Sequence, residues 1–385
     1  MGLNLRAPWK SQPRTAIPMT ISLLLVGIVF GPSLLFVPKA VAASPKVYGF
    51  NIAGAEWSET KLPGTLNTDY WYSADPARQL YFKDRGLTLV RVPFRWERVQ
   101  PKANGPLSAP DVNGLKSMLA AAAVQQQKVI LVAQNFGKYY NKTLNKNDAG
   151  KFADFWNKLA KAIQPSPPAA IGEFDPLYGF ELMNEPHDMQ GGMATWQHLA
   201  QAATNAIRTA DKAHYVLIPG YHWQTASSWR SYNEALNITD SAGPDKLLYA
   251  AHQYFDYNMS GRYTISYSDE LKQNPDLENI GTTRLEPFTK WLADKGKKGI
   301  VTEYGIPRNE GPATDLSSST NNRWMPVLDK FLQKIEDDPN LVGGAYWATG
   351  PRWFTTNDRL NVEPQWKSAT IDRPQMAVLE RFKSH

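Results

Sequence analysis

The sequence contains no cysteine among its 385 residues. A fold built from it has no disulfide bond and must be stabilised by its hydrophobic core alone. The residues after position 43 also lack clusters of lysine and arginine, repeats of roughly 20 to 50 residues and low-complexity linkers. These absences argue against a nucleic-acid partner, a solenoid and a second module behind a linker. We therefore expect one large domain, residues 44–385, in a monomer.

Residues 1–43 differ from the rest of the chain. They carry four basic residues and no acidic one, an apolar run over residues 19–37, and small residues at 40–43. This order is typical of a secretory signal peptide, cleaved here after Ala42 or Ala43. Without it the net charge falls from +6 to +2, so the basic character belongs mostly to this segment. We expect a secreted or periplasmic protein; the alternative is an uncleaved membrane anchor with the domain facing outside.

Short apolar runs rich in β-branched residues recur along the domain. They predict eight strands, at residues 47–53, 87–93, 128–134, 177–183, 215–219, 247–252, 299–303 and 342–347. Helical patterns separate most of them, at residues 75–86, 111–127, 148–163, 194–213, 283–295 and 321–337, with a last one at 373–383; the link 221–245 predicts only short helical turns. Apolar strands alternating with helices favour a parallel sheet covered by helices. Eight such units predict an α/β fold of the closed (β/α)8 TIM-barrel type.

Functional side chains of such barrels lie at the C-terminal ends of the strands and in the loops that follow. Polar and aromatic residues gather there, in chain order Asn51, Trp57, Arg91, Gln134, Asn135, Asn184, Glu185, His222, Trp223, His252, Tyr254, Glu303 and Trp347. Glu185 and Glu303 end the fourth and seventh strands, across the barrel mouth from each other. Such a carboxylate pair is what hydrolysis of a glycosidic bond requires. Arg91 could keep one carboxylate ionised.

Each of these residues also has a purely structural explanation. Glu303 could be a satisfied carboxylate at a strand end, His252 a core histidine and Trp347 a plug for the barrel. Their joint position at the same ends of eight strands favours the functional interpretation. A metal site formed by His222, His252 and Glu303 lacks the spacing of metal-binding motifs, so we expect no metal and no cofactor.

The strand-end motifs resemble those of a known family. VRVPF, LMNEPHD, HQYFD, VTEYG and AYWA, with GFNIAGAEW near the start, are similar to glycoside hydrolase family 5, the cellulase family of the retaining barrel clan, over about residues 47–347. The resemblance implies Glu185 as acid/base and Glu303 as nucleophile. It also implies that Asn184 binds the sugar 2-hydroxyl. By the same resemblance, Arg91, His252 and Tyr254 support the two carboxylates, and Trp347 forms a platform on which a sugar ring stacks.

The opening motif GFNIAGAEW is also similar to the first strand of the family's endo-β-1,4-glucanase members, which implies internal cleavage of a β-1,4-linked glucan. One departure concerns the substrate: VAQNF has Gln134 before Asn135, where the family usually has histidine. A β-mannanase or a hydrolase of bacterial exopolysaccharide therefore remains an alternative. A non-catalytic polysaccharide-binding barrel is disfavoured because both glutamates are present.

Aromatic side chains in the predicted loops are candidates for stacking on sugar rings. They are Trp57, Tyr70, Trp71, Tyr72, Tyr139, Tyr140, Trp223, Trp229 and Trp353. We expect three or four of them to contact a polysaccharide substrate. The predicted substrate-binding set is Gln134, Asn135, Trp57, His222, Trp223 and Trp347.

Overall fold

The computed structural model of the protein describes residues 45–164, 174–312, 315, 317, 319, 321–350, 359–366 and 370–384. The predicted signal segment and Trp353 lie outside these residues. Twelve strands are described: β1 (Val47–Ile52), β2 (Leu89–Phe94), β3 (Lys128–Ala133), β4 (Lys138–Tyr139), β5 (Lys142–Thr143), β6 (Leu177–Glu181), β7 (Tyr215–Pro219), β8 (Leu247–His252), β9 (Gly299–Tyr304), β10 (Leu341–Thr349), β11 (Gln365–Trp366) and β12 (Thr370–Ile371).

Eight of these strands form a closed barrel in the order β1, β2, β3, β6, β7, β8, β9, β10. Neighbouring strands are parallel, and β10 pairs with β1 to close the ring. The strands β4 and β5, and β11 and β12, form two small antiparallel pairs. The predicted (β/α)8 barrel is confirmed.

Helices alternate with the barrel strands. They are α1 (Pro76–Asp84), α2 (Trp96–Val99), α3 (Ala109–Val124), α4 (Ala149–Ile163), α5 (Gly192–Arg208), α6 (Trp229–Asn233), α7 (Tyr267–Gln273), α8 (Ile280–Lys295), α9 (Trp324–Asp337) and α10 (Met376–Leu379). The predicted start of α1 is confirmed, since the Asp75 side chain accepts hydrogen bonds from Ala77 N and Arg78 N and Pro76 is the first helical residue. None of the helices in the described part of the chain is long and apolar enough to span a membrane.

The alternation of side chains along the strands builds the barrel interior in layers. An apolar layer that includes Leu89, Leu248 and Ile300 is buried inside the barrel. Side chains two residues further along a strand point to the same face. Polar side chains, among them Arg91 and Thr302, therefore lie directly above this apolar layer, towards the C-terminal ends of the strands.

Most predicted boundaries differ from the observed ones by a few residues; the helix predicted at 194–213, for example, spans Gly192–Arg208 as α5. Two of the differences show how tertiary contacts end an element. The fourth barrel strand ends at Glu181 rather than at residue 183, because the chain bends so that Asn184 N donates to Ala133 O of β3 over 2.8 Å. The predicted helix 373–383 is reduced to α10. The residues after it are instead held by tertiary contacts, since Ser384 N donates to Gly86 O and Tyr48 N donates to the Ser384 hydroxyl.

Candidate active site

The Arg91 side chain organises the upper interior of the barrel and is fully buried. Its guanidinium group donates to both carboxylate oxygens of Glu181 (2.6 and 3.0 Å) and to Glu303 Oε1 (2.6 Å). It also donates to the side-chain oxygens of Asn51 (2.8 Å) and Asn184 (2.7 Å). Arg91 therefore binds two carboxylates and fixes the orientation of two amides.

Glu303 lies near the C-terminal end of β9 and is almost completely buried. One of its carboxylate oxygens accepts from Arg91, and the other accepts from the Tyr254 hydroxyl over 3.1 Å. His252 Nδ1 lies 3.6 Å from that second oxygen. The predicted support of Glu303 by Arg91 and Tyr254 is thus present as direct contacts.

Glu185 lies in the loop after β6 and faces the cleft, with 17% of its side chain exposed. Its backbone is left-handed, with φ of 44°. His252 Nδ1 lies 2.9 Å from Glu185 Oε1. Single ligand atoms from Glu185, His252 and Glu303 all lie within 4.8 Å of one another. The two glutamates thus face each other across His252, while Arg91 makes its direct contacts with Glu303 and not with Glu185.

Burial and neighbouring charges shift the pKa values of Glu185, Glu303 and His252 to different extents. Burial raises the pKa of the Glu185 carboxyl well above its usual range, and repulsion from Glu303 raises it further. Burial also raises the pKa of Glu303, but the Arg91 charge and hydrogen bond oppose this. Burial lowers the pKa of His252 well below its usual value, with Arg91 adding to the effect, so this imidazole is neutral at pH 7. The pKa of Glu303 is still raised, to about 7, but Glu303 ionises more readily than Glu185, which keeps its proton to a higher pH.

An open cleft of about 620 Å³ lies over this group and is lined by Glu185, His252 and Tyr254. Trp223 lies on the rim of the cleft with 44% of its surface exposed. Its ring stacks on the His187 ring, with 3.4 Å between the ring centroids. His222, which also lines the cleft, stacks on Tyr232 at 3.6 Å. Both predicted binding residues of the β7 loop are therefore present in the cleft.

The other predicted binding residues differ in their surroundings. Asn135 is buried and bonded on both sides, to Trp96 N and to Glu97 Oε2, and so fixes the start of α2. Gln134 is nearly buried, and within the described residues its Oε1 has no hydrogen-bond partner. Trp57 and Trp347 are half-buried and pack against the same small cluster of Ala53 and Ala348.

Among the remaining aromatic candidates, Tyr70 and Trp229 are buried. Trp229 packs against Phe288 and Trp291 of α8. These two rings serve the core and are not available to a sugar. The metal set considered from the sequence is not formed, since His222 is absent from the one group of potential metal ligands found in the described residues, Glu185 with His252 and Glu303.

Sequence reasoning missed Glu181, Gln224 and Thr302, which all belong to this network. Glu181 is fully buried beside Arg91, and its only signal was a charged residue within the apolar run LYGFELM. Gln224 is fully buried and bonds Glu181 Oε1 over 2.8 Å and Glu185 N over 3.2 Å. No sequence pattern distinguishes it from the polar loop residues around it.

Comparison with known proteins gives a match to one family and to proteins with similar sequences. A family model described as Cellulase (glycosyl hydrolase family 5) matches residues 48–351. Endo-beta-1,4-glucanase B of Emericella nidulans is 29% identical over 87% of this chain and 92% of its own length. Endo-beta-1,4-glucanase A of the same organism is 30% identical over 82% and 86%.

Two solved structures are similar over most of their length. Pseudomonas stutzeri endoglucanase Cel5A, in complex with cellobiose, superposes with a TM-score of 0.72 and 33% identity over 88% of this chain and 95% of that one. XacCel5A, in complex with cellopentaose, superposes with a TM-score of 0.73 and 31% identity over 88% and 99%.

Proposed function

Because the chain belongs to the cellulase family, glycosyl hydrolase family 5, we propose that it is an exported endo-β-1,4-glucanase that acts by double displacement with retention of anomeric configuration. Glu185 is the acid/base and Glu303 the nucleophile. The observation that carries this proposal is the asymmetry of the two carboxyl groups. Arg91 and Tyr254 bond Glu303, whereas Glu185 faces the cleft beside a neutral imidazole.

The spacing of the pair supports retention. Retaining glycosidases have carboxyl groups about 5 to 5.5 Å apart, and inverting enzymes have them about 6.5 to 9.5 Å apart to admit a water molecule. One carboxylate oxygen of Glu185 lies within 4.8 Å of one carboxylate oxygen of Glu303. A nucleophile in direct contact with the sugar fits this gap better than an intervening water.

In the first step a Glu303 oxygen forms a bond to the anomeric carbon. The bond from that carbon to the glycosidic oxygen breaks, and Glu185 gives its proton to this oxygen. In the second step Glu185, now a carboxylate, takes a proton from water while the water oxygen attacks the anomeric carbon. The bond to Glu303 breaks, and both glutamates regain their starting states.

Neighbouring polar groups support the same assignment. The Nδ2 atom of Asn184 is buried and, in the described part of the chain, has no hydrogen-bond partner, although its Oδ1 is held by Arg91. This N–H₂ group is available to a sugar hydroxyl, as the family resemblance implies for the 2-hydroxyl. A buried donor without a partner is costly, and a bound sugar would remove that cost.

The substrate assignment draws support from the relatives and from the cleft. The relatives are named endo-beta-1,4-glucanases, and the two similar structures were solved with cellobiose and cellopentaose. An open cleft with exposed Trp223 at its rim suits a chain that passes through it, which internal cleavage requires. Because Gln134 stands where the family usually has histidine, a β-mannanase or an exopolysaccharide hydrolase remains the second candidate.

The test uses purified residues 44–385 with a panel of soluble β-glucans and mannans, followed by sizing of the products. We expect a rapid fall in the average length of a β-1,4-glucan, with mixed short oligosaccharides. Release of a single small product from chain ends would contradict internal cleavage. Preferential cleavage of mannan would favour the second candidate.

A further inference from the structure

We propose that Gln224, for which no role was predicted from the sequence, is a positioning residue. It holds the acid/base Glu185 at the correct position relative to the nucleophile Glu303. This inference rests on the proposed double displacement. Gln224 is fully buried and does not line the cleft, so it acts through other residues rather than by touching the substrate.

Gln224 uses every polar group of its side chain to join separate strands. Its Oε1 accepts from the backbone N–H of Glu185 over 3.2 Å. Its Nε2 donates to Glu181 Oε1 over 2.8 Å and lies 3.2 Å from the Thr302 hydroxyl. The backbone oxygen of Gln224 accepts from His252 N over 2.7 Å. One residue therefore links the loop of Glu185 to β6, β8 and β9.

The backbone around Gln224 explains how it reaches inwards. His222, Trp223 and Gln224 are three consecutive left-handed residues, with φ of 67°, 59° and 56°. Such conformations persist only where surrounding contacts hold them, and they concentrate at functional sites. Here the turn directs Trp223 to the rim of the cleft and Gln224 into the interior. His222 N donates to Pro186 O, which ties the turn to the residue after Glu185.

Loss of Gln224 should affect the two catalytic carboxyl groups unequally. Glu185 is itself left-handed, and the Gln224 amide oxygen anchors its N–H group. Glu303 would keep its contacts with Arg91 and Tyr254, and Glu181 would keep both contacts with Arg91. The expected defect is therefore in proton donation by Glu185 and not in attack by Glu303.

The leaving group of the substrate separates these two steps. Cleavage of cellotetraose needs a proton on the departing sugar oxygen, whereas a dinitrophenyl cellobioside releases dinitrophenolate, which departs without a proton. The value of kcat/KM reports the first displacement in both cases. For Gln224→Met we expect kcat/KM to fall about 10- to 100-fold on cellotetraose, the scale of a misplaced catalytic group, and far less on the aryl glycoside. Glu185→Ala should show the same pattern more strongly.

One further variant serves as the control. Gln127→Met removes a buried glutamine that bonds Gln79 O and Leu87 O before β3, and should lower the melting temperature without changing that ratio. Gln224→Leu replaces Gln224→Met if the latter does not fold.

An equal loss on both substrates in Gln224→Met would overturn the proposal, because a merely structural defect acts on both alike. A preferential loss in Gln127→Met as large as in Gln224→Met would also contradict it. The proposed function is judged separately, by the unmodified chain. If that chain cleaves neither substrate, double displacement on a β-1,4-glucan is wrong, and the role of Gln224 falls with it.

Discussion

Arg91 is the residue that makes two chemically identical carboxyl groups unequal. It donates to Glu303 over 2.6 Å and makes no direct hydrogen bond with Glu185. A charge-assisted hydrogen bond stabilises the ionised form of the acceptor. Glu185, without such a partner, retains its proton to a higher pH. The proposed division of labour between acid and nucleophile thus rests on which glutamate lies within reach of one guanidinium group.

This assignment predicts opposite stereochemistry for two variants. Glu303→Gly should lose nearly all activity but, with an activated aryl glycoside and azide, form a glycosyl azide of inverted anomeric configuration, because azide replaces the missing nucleophile. Glu185→Ala should form the azide with retained configuration, because azide then attacks the covalent intermediate. Proton NMR of the anomeric position distinguishes the products, and exchanged outcomes would reverse the assignment.

Glu181 supplies the control for that experiment. It is a third carboxylate of the site, but both of its oxygens are occupied by Arg91, and Gln224 and Thr302 also donate to it. Glu181→Gly should lose activity through the disturbed Arg91 and should not regain it with azide. Rescue of this variant would mean that a carboxylate other than Glu303 reaches the anomeric carbon.

Gln134 gives a prediction about substrate choice. It follows β3 at the barrel mouth, and its side-chain oxygen is buried without a partner in the described residues. Unlike histidine, it cannot become cationic. We expect Gln134→His to leave the fold intact and to change the ratio of glucan to mannan activity several-fold. Gln127→His, at the other end of β3, is the matched control. A substrate profile identical to that of the unmodified chain would contradict a role in specificity.

At the scale of elements, the period of two along each barrel strand positions the site. Leu89 and Ile300 fill the apolar layer, and Arg91 and Thr302 follow two residues later on the same face. This pattern can be read from the sequence, which is why the residues at the strand ends could be predicted. The turn at residues 222–224 could not, because three successive left-handed residues depend on contacts with distant elements.

Another inter-element contact lies at the starts of β6 and β7. His214 Nδ1 lies 2.6 Å from Asp211 and Nε2 lies 2.6 Å from Asp175, so both contacts are hydrogen bonds only when the imidazole is protonated. Burial alone would lower the pKa of His214, but the two aspartates raise it above its usual value. Arg208, the neighbouring cation, donates to the backbone oxygens of Asp211 and His214.

A pKa raised on folding means that His214 stabilises the fold fully below about pH 6.5, its unfolded value, and loses this effect as the pH rises through the folded pKa. Hydrogen bonds from His214 outweigh the effect of burial and lower the pKa of Asp211 to about 2. The contribution of Asp211 to the stability of the fold is therefore present above about pH 4. We expect His214→Gln to lower the free energy of unfolding by roughly 1 to 2 kcal/mol at pH 5 and by less at pH 9.

Denaturant unfolding at both pH values measures this difference. His198→Gln, on the exposed side of α5, is the control and should behave alike at pH 5 and pH 9. A deficit for His214→Gln that is as large at pH 9 as at pH 5 would show that the contact does not depend on a charged imidazole.

For the whole molecule, the barrel was predictable because eight apolar strands alternating with helices have few other solutions. The positions of the two glutamates were predictable because Glu303 lies at the C-terminal end of such a strand and Glu185 in the loop just after one. The links between them were not, since Glu181, Gln224 and Asn51 meet Arg91 or its partners only after the barrel closes. Asn135 was predicted to bind substrate because it lies at a strand end. Both polar atoms of its side-chain amide are instead bonded to residues of α2, Trp96 and Glu97.

The N-terminal segment yields the last prediction. Its basic residues, apolar run and small residues are in the order that signal peptidase substrates show. We propose that the chain is exported and cleaved, so the secreted or periplasmic protein should begin at Ala43 or Ser44. Intact-mass measurement of the exported protein tests this, and replacement of both Ala42 and Ala43 by bulky residues should block cleavage at either position. Recovery of the full-length chain solely in the membrane fraction would instead establish the uncleaved anchor, with the cleft held at a membrane surface.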